Sequence, residues 1–368
     1  MERVDVLVVG GGPAGSSLAW GLRGAGLRVC VMDRATFPRD KTCAGWVTPP
    51  VWSALDLAPS AYAAAGHTLQ PIRGFQIRRM GDAPALAQSP EVVSHGIRRC
   101  ELDAFLLARC GAELRLGDSV RALERTADGW LVNGAVQARL LVGAGGHFCP
   151  VARALSAGQP KEVPIAAQEL ELPVSAAEAC AVGVDPELPE IQFTRDLAGY
   201  AWIFRKGGYL NVGLGRRGGA GLGIELRALL RSRGMPEPWG DAVRGHAYFT
   251  SGSTRRPLVR ERAALLGDAA GLAYPKSGEG IRPAVESGLL LARAIGTGRD
   301  PGDPRALANY ERAVRARFGR RRMPAASPES VPAWQASLAG RLFGVPAFAR
   351  RVVVERWFLH AHSAALSA

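Results

Sequence analysis

The residues best equipped for chemistry in this chain are two sets of glycines and one acid. Gly10-x-Gly12-x-x-Gly15 lies near the N-terminus, and Asp33 follows eighteen residues after Gly15. Gly10 allows a tight turn, Gly12 lets a pyrophosphate approach the backbone, and Gly15 lets a helix pack closely on a strand. An acid at position 33 bonds the ribose hydroxyls of an adenosine and disfavours a 2′-phosphate, so the ligand is NAD or the ADP half of FAD. A second glycine-rich stretch, GDAAGLAYPKSGEGI at residues 267–281, lies about 250 positions downstream. It suits a ribityl chain and a flavin ring. No second GxGxxG occurs in the chain, and the remaining Gly-rich turns suit one long ligand, which favours FAD.

These residues need particular elements to hold them. Residues 4–9 (VDVLVV) form a valine-rich run that fits a buried strand of a parallel sheet. Residues 14–25 read as a helix with Gly26 as its stop, and residues 27–32 as a second strand ending at Asp33. The helix N-terminus offers free N–H groups and a positive dipole end to phosphates. Residues 72–80 look strand-like, 100–108 helical, and 140–143 a short buried strand. From about 160 to 258 the pattern becomes short strands separated by turns, including 200–204 and 209–215, as expected of an antiparallel sheet. A buried strand at 263–266 and a helix of small residues at 280–295 return to the first pattern, and 304–322 is helical and basic. The last forty residues carry Trp334, Leu338, Leu342, Phe343, Phe348, Trp357 and Phe358 on short helices.

The expected organisation is a discontinuous dinucleotide domain over 1–71, 96–159 and 259–325, a β-sheet substrate domain over 72–95 and 160–258, and a helical region over 326–368. The chain has 368 residues, with 47% hydrophobic and 21% charged, an ordinary globular composition with room for two domains. No apolar run approaches the ~20 residues of a membrane span. The apolar start contains Asp5 and runs into glycines, so it reads as a strand rather than a signal peptide, and a cytoplasmic location is expected.

Net charge is +13, nearly all of it arginine, with clusters at Arg216 and Arg217, at 255–262 and at 315–322. Such a surface suits an acidic partner or an anionic membrane, or reflects an arginine-rich composition with solvated faces. No nucleic-acid motif accompanies it, and none is expected as a partner. Six cysteines show no metal spacing and read mostly as buried thiols. No metal is expected: His360-x-His362 is not a convincing pair, and His147 reads as a packing or capping residue.

Several segments resemble a known family. Gly10–Gly15 with Asp33, the Arg99-x-x-Leu102-Asp103 stretch, GAGGHFCPVAR at 143–153 and the 267–281 loop appear in the order of the flavoprotein hydroxylase superfamily. Within it, Lys41-Thr42-Cys43-Ala44-Gly45, Gly199-Tyr200-Ala201-Trp202-Ile203-Phe204 and the PKSGEGI wording resemble the geranylgeranyl reductase-like branch. The resemblance covers roughly residues 1–300. It implies an α/β fold: an FAD-binding Rossmann-like domain of the glutathione-reductase type, an inserted antiparallel β-sheet substrate domain and a small helical C-terminal region. It also implies that Asp268 binds the ribityl or pyrophosphate region, that residues 278–281 face the pyrimidine side of the ring, and that Arg99, or its neighbour Arg98, reaches the cofactor. The cofactor-binding set is then Gly10, Gly12, Pro13, Ala14, Gly15, Asp33, Arg34, Cys43, Ala44, Arg99, Gly145, Gly267, Asp268, Gly278, Gly280 and Ile281.

The branch has KxCGG where this chain has KTCAG, and its cysteine lies near the flavin and matters for activity. Cys43 would tune the ring, donate a proton to substrate carbon, or pack; Lys41 would lower its pKa if the side chains meet. Tyr200 and Trp202 alternate on one strand face and suit the wall of an apolar pocket, or form a core pair. The expected catalytic set is Cys43, Tyr200 and Trp202. Arg205 and Leu197 replace two prolines of the family motif, which bears on a polyprenyl substrate more than on the pocket. Gly145-Gly146 replaces the usual Asp-Gly, so that acid's role is absent or moved.

The leading expectation is an FAD oxidoreductase delivering hydride from reduced flavin to a C=C bond of a small apolar substrate, isoprenoid-like or a secondary metabolite, presented free, on a carrier or at a membrane. A monooxygenase or halogenase acting through a hydroperoxyflavin is the rival on the same fold. A non-redox FAD protein, cyclase or carrier-binding accessory, is a third reading. Electrons would come from NAD(P)H or from a partner reductase or ferredoxin.

Overall fold

Parallel strands place their C-terminal ends on one edge, and that edge organises the first part of the molecule. The structure, a computed structural model, describes residues 1–160, 162–235, 243–296, 298–319 and 331–366. Its contacts divide the chain into two compact units: Met1–Arg39, Cys100–Glu162 and Tyr248–Ala325 in the first, and Asp40–Arg99, Val163–Ala247 and Ala326–Ala368 in the second.

In the first unit, Glu2–Val9 is the central strand of a sheet, flanked in parallel by Val29–Asp33 and Val136–Gly143. Glu113–Leu116 and Ala263–Leu265 extend the parallel sheet on either side. A hairpin of Leu123–Thr126 and Gly129–Val132 joins Val136–Gly143 antiparallel. Val6, Leu7, Val8, Leu140, Leu141 and Val142 are fully buried, as expected of strands covered on both faces. The first helix is Pro13–Gly21, shorter than the pattern suggested because Leu22 already closes it.

That helix packs closely against Ile281–Ile295 at two glycines. A Cβ added to Gly288 would lie 2.5 Å from the Ala14 carbonyl oxygen, and one on Gly21 would lie 2.8 Å from Ala292 Cβ. Gly15 is equally constrained, since its added Cβ would meet the Gly10 oxygen at 2.0 Å. The pairs advance together along both helices, Ala14 with Gly288 and Gly21 with Ala292. The helices therefore run parallel, with both N-termini at one end.

The second unit contains a seven-stranded sheet ordered Arg244–Tyr248, Ile165–Pro173, Tyr209–Arg217, Gly199–Lys206, Glu190–Phe193, Gly74–Arg79, Ala85–Gln88. Its pairings are antiparallel where a register is defined, except that Glu190–Phe193 runs parallel to Gly74–Arg79. No tight turn joins those two strands, so hairpin geometry does not fix their direction. One face carries Leu170, Ala201, Ile203, Leu210, Val212 and Leu214 against the amphipathic helix Leu222–Ser232.

The units differ from the sequence-based boundaries at several places, residues 160–162 among them, which group with the first unit. Residues 40–71 and 96–99 group with the β-sheet unit, because Trp46–Val47 and Leu69–Ile72 both pair with Ser94–Ile97 in a small sheet. Residues 248–258 group with the first unit, where Thr254 bonds Glu162 and Arg256 bonds the Asp268 and Ala269 carbonyls. The C-terminal residues form no third body: Phe343 stacks on Phe193 with centroids 4.4 Å apart. The basic helix is Pro304–Phe318, and the arginines at 320–322 lie outside the described residues.

Alanine is normally favoured over glycine in a helix by up to ~1 kcal/mol. At Gly288 the sign should reverse, because overpacking costs about 1–3 kcal/mol. Gly288→Ala is expected to lower the urea midpoint, and an unchanged or raised midpoint would show that the two helices can separate.

Candidate functional site

At the C-terminal edge of the parallel sheet the glycine turn is built as its spacing implies. Gly10 has φ +117°, and a Cβ there would collide with the Ala144 carbonyl at 2.5 Å. The Asp33 carboxylate accepts the Gly11 N–H at 2.8 Å and the Ala35 N–H at 2.9 Å. The acid is thus held by the turn it serves, with lone pairs left over for a ribose. Arg34 beside it is exposed, and Pro13 and Ala14 are buried at the helix start.

Two residues the motif did not single out complete this end. Arg39 Nη2 lies 3.4 Å from where a Gly12 Cβ would stand. The fully buried Asp103 holds that guanidinium at 3.3 Å, and the Phe37 ring lies beneath it. A fixed cation over a glycine turn and a helix N-terminus is what a pyrophosphate requires. Arg39 was missed because no spacing rule links it to the glycines; only folding brings it there.

The distal loop adjoins this turn. Gly267 carries a φ of +50°, its added Cβ would lie 3.3 Å from Ala14 Cβ, and its N–H donates to Ser287 Oγ at 3.0 Å. Asp268 Oδ1 sits 3.0 Å from a Cβ built on Gly280, so the acid and the 278–281 turn form one wall. Gly278, at φ +64°, leaves room only for the Tyr248 hydroxyl, 2.2 Å from its would-be Cβ. Ile281 opens the helix Ile281–Ile295, whose positive dipole end lies at this wall although the Arg282 N–H is taken by Glu279 and residue 283 is proline. Gly145 is exposed beside Gly10. His147 is a packing residue: its ring lies 4.7 Å from Phe249, and its carbonyl accepts Arg256 Nη2. The residues present fit an FAD.

Glu279, inside the GEGI turn, is a buried acid the sequence reading passed over. Its Oε1 accepts the Arg282 N–H at 2.8 Å, and its Oε2 has no protein partner among the described residues. Burial pushes its carboxyl up to about 7, opposed by the Arg282 N–H and charge. Behind it the buried Glu286 carboxylate binds Arg282 Nε at 2.9 Å and Arg317 Nη2 at 2.6 Å. Those pairs clamp the helix N-terminus, since breaking a buried ion pair leaves an uncompensated charge.

Cys43, Ala44, Arg99, Tyr200 and Trp202 belong to the second unit. Trp202, 5% exposed, lies flat across Gly213, where a Cβ would stand 2.2 Å from its ring, and donates Nε1–H to Asn211 Oδ1 at 2.7 Å. Its indole is therefore committed to the sheet rather than lining a free wall. Tyr200, half-buried, contacts Trp202, Phe193 and Phe358. Phe204 stacks on Trp46 at 5.4 Å with 7° between planes. Cys43 Sγ accepts the Gly45 N–H at 3.3 Å, whereas Lys41 Nζ reaches the Thr42 carbonyl. Arg99 is buried at the start of helix Arg99–Ala108; Arg98 instead pairs with Glu171 and lies 3.6 Å over the Tyr209 ring. A cavity of about 550 Å3 lined by Trp52, Asp56 and His95 contains none of these residues. Of the cysteines, Cys30, Cys110 and Cys149 are buried and Cys180 is exposed.

Residues 3–56 match an FAD binding domain. The chain is 30% identical over 321 residues to a menaquinone reductase of Mycobacterium tuberculosis, an alignment covering 80% of this chain and 77% of that protein. It is 28% identical over 344 residues to digeranylgeranylglycerophospholipid reductase 2 of Methanothermobacter thermautotrophicus, covering 86% and 85%. The crystal structure of a geranylgeranyl bacteriochlorophyll reductase-like protein from Thermoplasma acidophilum superposes with a TM-score of 0.70 at 20% identity, over 100% of this chain and 94% of its own. The fold and cradle are those of an FAD-dependent oxidoreductase. The chain belongs to the geranylgeranyl reductase-like branch of the flavoprotein hydroxylase superfamily.

Two outcomes check the cradle. Arg39→Ala and Asp268→Ala should each weaken FAD retention, by about tenfold for the lost charge-assisted contact at Arg39; full flavin content after gel filtration would show the contacts misplaced. Glu279 is neutral in the folded state up to about 7, whereas an unfolded Glu ionises near ~4.3. Between those values the unfolded state binds fewer protons, so stability should fall as pH rises through that window. Glu279→Gln should flatten that decline in thermal melts; an equal slope in both proteins would refute the assignment.

Proposed function

We propose that this chain uses FAD to reduce a carbon–carbon double bond of an apolar, isoprenoid-like substrate. The observation that carries the reading is in the second unit. The Cys43 turn is bonded to Asn211 on the same sheet face that presents Tyr200, Trp202 and Phe204. A thiol fixed beside an aromatic surface suits an apolar chain that needs a proton at one carbon.

When bound and reduced, FAD supplies the hydride equivalent. The Cys43 thiol then holds the proton for the second carbon of the double bond, which balances the reduction as one hydride and one proton. Tyr200, half-buried, orients the apolar substrate, and Trp202 fixes the surface through Asn211. That relatives are a menaquinone reductase and a digeranylgeranylglycerophospholipid reductase supports an apolar lipid-like substrate. The electron donor is proposed to be NAD(P)H or a partner reductase or ferredoxin.

No described helix is long and apolar enough to cross a membrane. Helix Ala333–Phe343 nevertheless exposes Trp334 (67%), Leu338 (51%) and Leu342 (39%) at fourfold spacing and carries Arg341. This supports peripheral contact with a membrane that presents the substrate.

The test is to reduce the holoprotein anaerobically and mix it with a polyprenyl alkene or with O2. Reoxidation by the alkene, with a product two hydrogens heavier, is expected. Reoxidation by O2 alone with an oxygenated or halogenated product would replace this reading with the oxygen-activating one. Failure to take up electrons from any donor would favour a non-redox role.

A further inference from the structure

Beneath the Cys43 turn lies a group of buried polar side chains that no cofactor contact explains. Glu169 and Glu171 alternate on Ile165–Pro173 and so face the same side, opposite Gly213 and Asn211 in the neighbouring strand. Glu169 is 5% exposed, Asn211 1%, and Lys206 fully buried. Such groups persist in a fold only when their hydrogen bonds are satisfied.

The three protons of Lys206 are spent. Its Nζ bonds Glu171 Oε1 at 2.6 Å and the carbonyls of Ala44 and Ile97 at 3.0 Å each. Arg98 Nε also pairs with Glu171, at 3.3 Å. Glu171 therefore holds both cations, and its carboxyl lies below the ordinary range although burial opposes this, because Lys206 and Arg98 favour its charge. Glu169 has neither cation as a direct partner.

Asn211 is overcommitted. Its Nδ2 carries two hydrogens but lies 3.3 Å from the Cys43 carbonyl, 3.4 Å from Glu169 Oε2 and 3.4 Å from Glu171 Oε1. Its Oδ1 is occupied by Trp202, so the amide cannot flip to relieve the competition. The Cys43 backbone N–H also favours the charge of the Glu169 carboxyl. The Cys43 backbone is thus tied to this network through its carbonyl and faces Glu169 through its N–H. An ionised Glu169 can only accept, and it draws the Cys43 N–H and Asn211 towards itself. A neutral Glu169 carries a donor of its own and competes less for those hydrogens.

We propose that Glu169 is a positioning residue for Cys43, its protonation state setting, through Asn211 and the Cys43 N–H, how the turn is held and how reactive the thiol is. The proposal deepens the function above and rests on Cys43 serving in it. Burial, against the pull of Lys206 and the Cys43 N–H, pushes the Glu169 carboxyl up to about 7, with Glu171 adding to the rise. The switch therefore falls near neutral pH. Ionised Glu169 adds negative charge beside Cys43 and tightens the turn, and both effects slow the thiol.

The test needs no turnover, so it separates this inference from the catalytic role. FAD-loaded protein is alkylated with iodoacetamide across about pH 5.5 to 9, and labelling of Cys43 and Cys180 is followed by peptide mass spectrometry. In the wild type, the ratio of the Cys43 rate to that of exposed Cys180 should fall above about pH 7. Glu169→Gln, isosteric but never ionised, should remove that fall. Its Cys43 rate should match the wild type in acid and exceed it by about threefold or more in alkali, as expected for removal of one nearby charge. A mutant-to-wild-type ratio that is constant with pH would reduce Glu169 to a structural residue and overturn the proposal. If the variant fails to fold, a ratio of Cys43 to Cys180 rates that is constant with pH in the wild type overturns it as well. Loss of that fall alongside full turnover in Cys43→Ser would sustain the network and remove the catalytic role of Cys43 alone.

Discussion

The close parallel packing of Pro13–Gly21 on Ile281–Ile295 is the contact on which the cofactor site depends. Each helix begins at a glycine turn, and such turns suit the two ends of one long ligand. Gly21 and Gly288 let the helices approach closely, and Gly15 lets the first helix close onto the strand, so both positive dipole ends arrive at one edge of the sheet. The sheet adds its own constraint. Strands that run parallel deliver Gly10, Asp33, Ala144 and Leu266 to the same side, which is where ligands bind in folds of this type. The buried Arg282–Glu286–Arg317 cluster then fixes the second helix from behind.

The second unit works on a different principle, a sheet with two unlike faces. One face is aliphatic and rests on helix Leu222–Ser232. The other carries Tyr200, Trp202, Phe204, Lys206, Asn211, Glu169 and Glu171, because paired residues of neighbouring strands share a side. Trp202 is the hinge of that face. Its ring needs the missing side chain of Gly213, and its N–H orients Asn211, which touches Cys43. An aromatic residue expected to line a pocket is thus equally a strut for the polar network. Phe343 and Phe358 from the C-terminal helices cover part of the same face, which is why those helices pack with this unit.

Much of this was legible beforehand where the signal is local. The strand–turn–helix at the N-terminus, its acid at position 33, and the loop at 267–281 follow from spacing alone. Residues whose roles depend on distant partners were not legible. Arg39 gains meaning from Asp103, 64 positions away, Glu169 from Cys43, and Glu279 from burial rather than from its neighbours in sequence. The unit boundaries shifted for the same reason: Trp46–Val47 is a strand only through its pairing with Ser94–Ile97.

By itself, then, the sequence determined the N-terminal glycine turn, the second glycine loop and the branch to which the chain belongs, because glycine and acid requirements are set by backbone geometry within a few residues. Only the tertiary structure decided which charges stand beside the phosphate turn, which carboxyl keeps its proton, and what holds Cys43. Those properties arise from desolvation and from hydrogen-bond competition between strands, and neither exists until the strands are side by side.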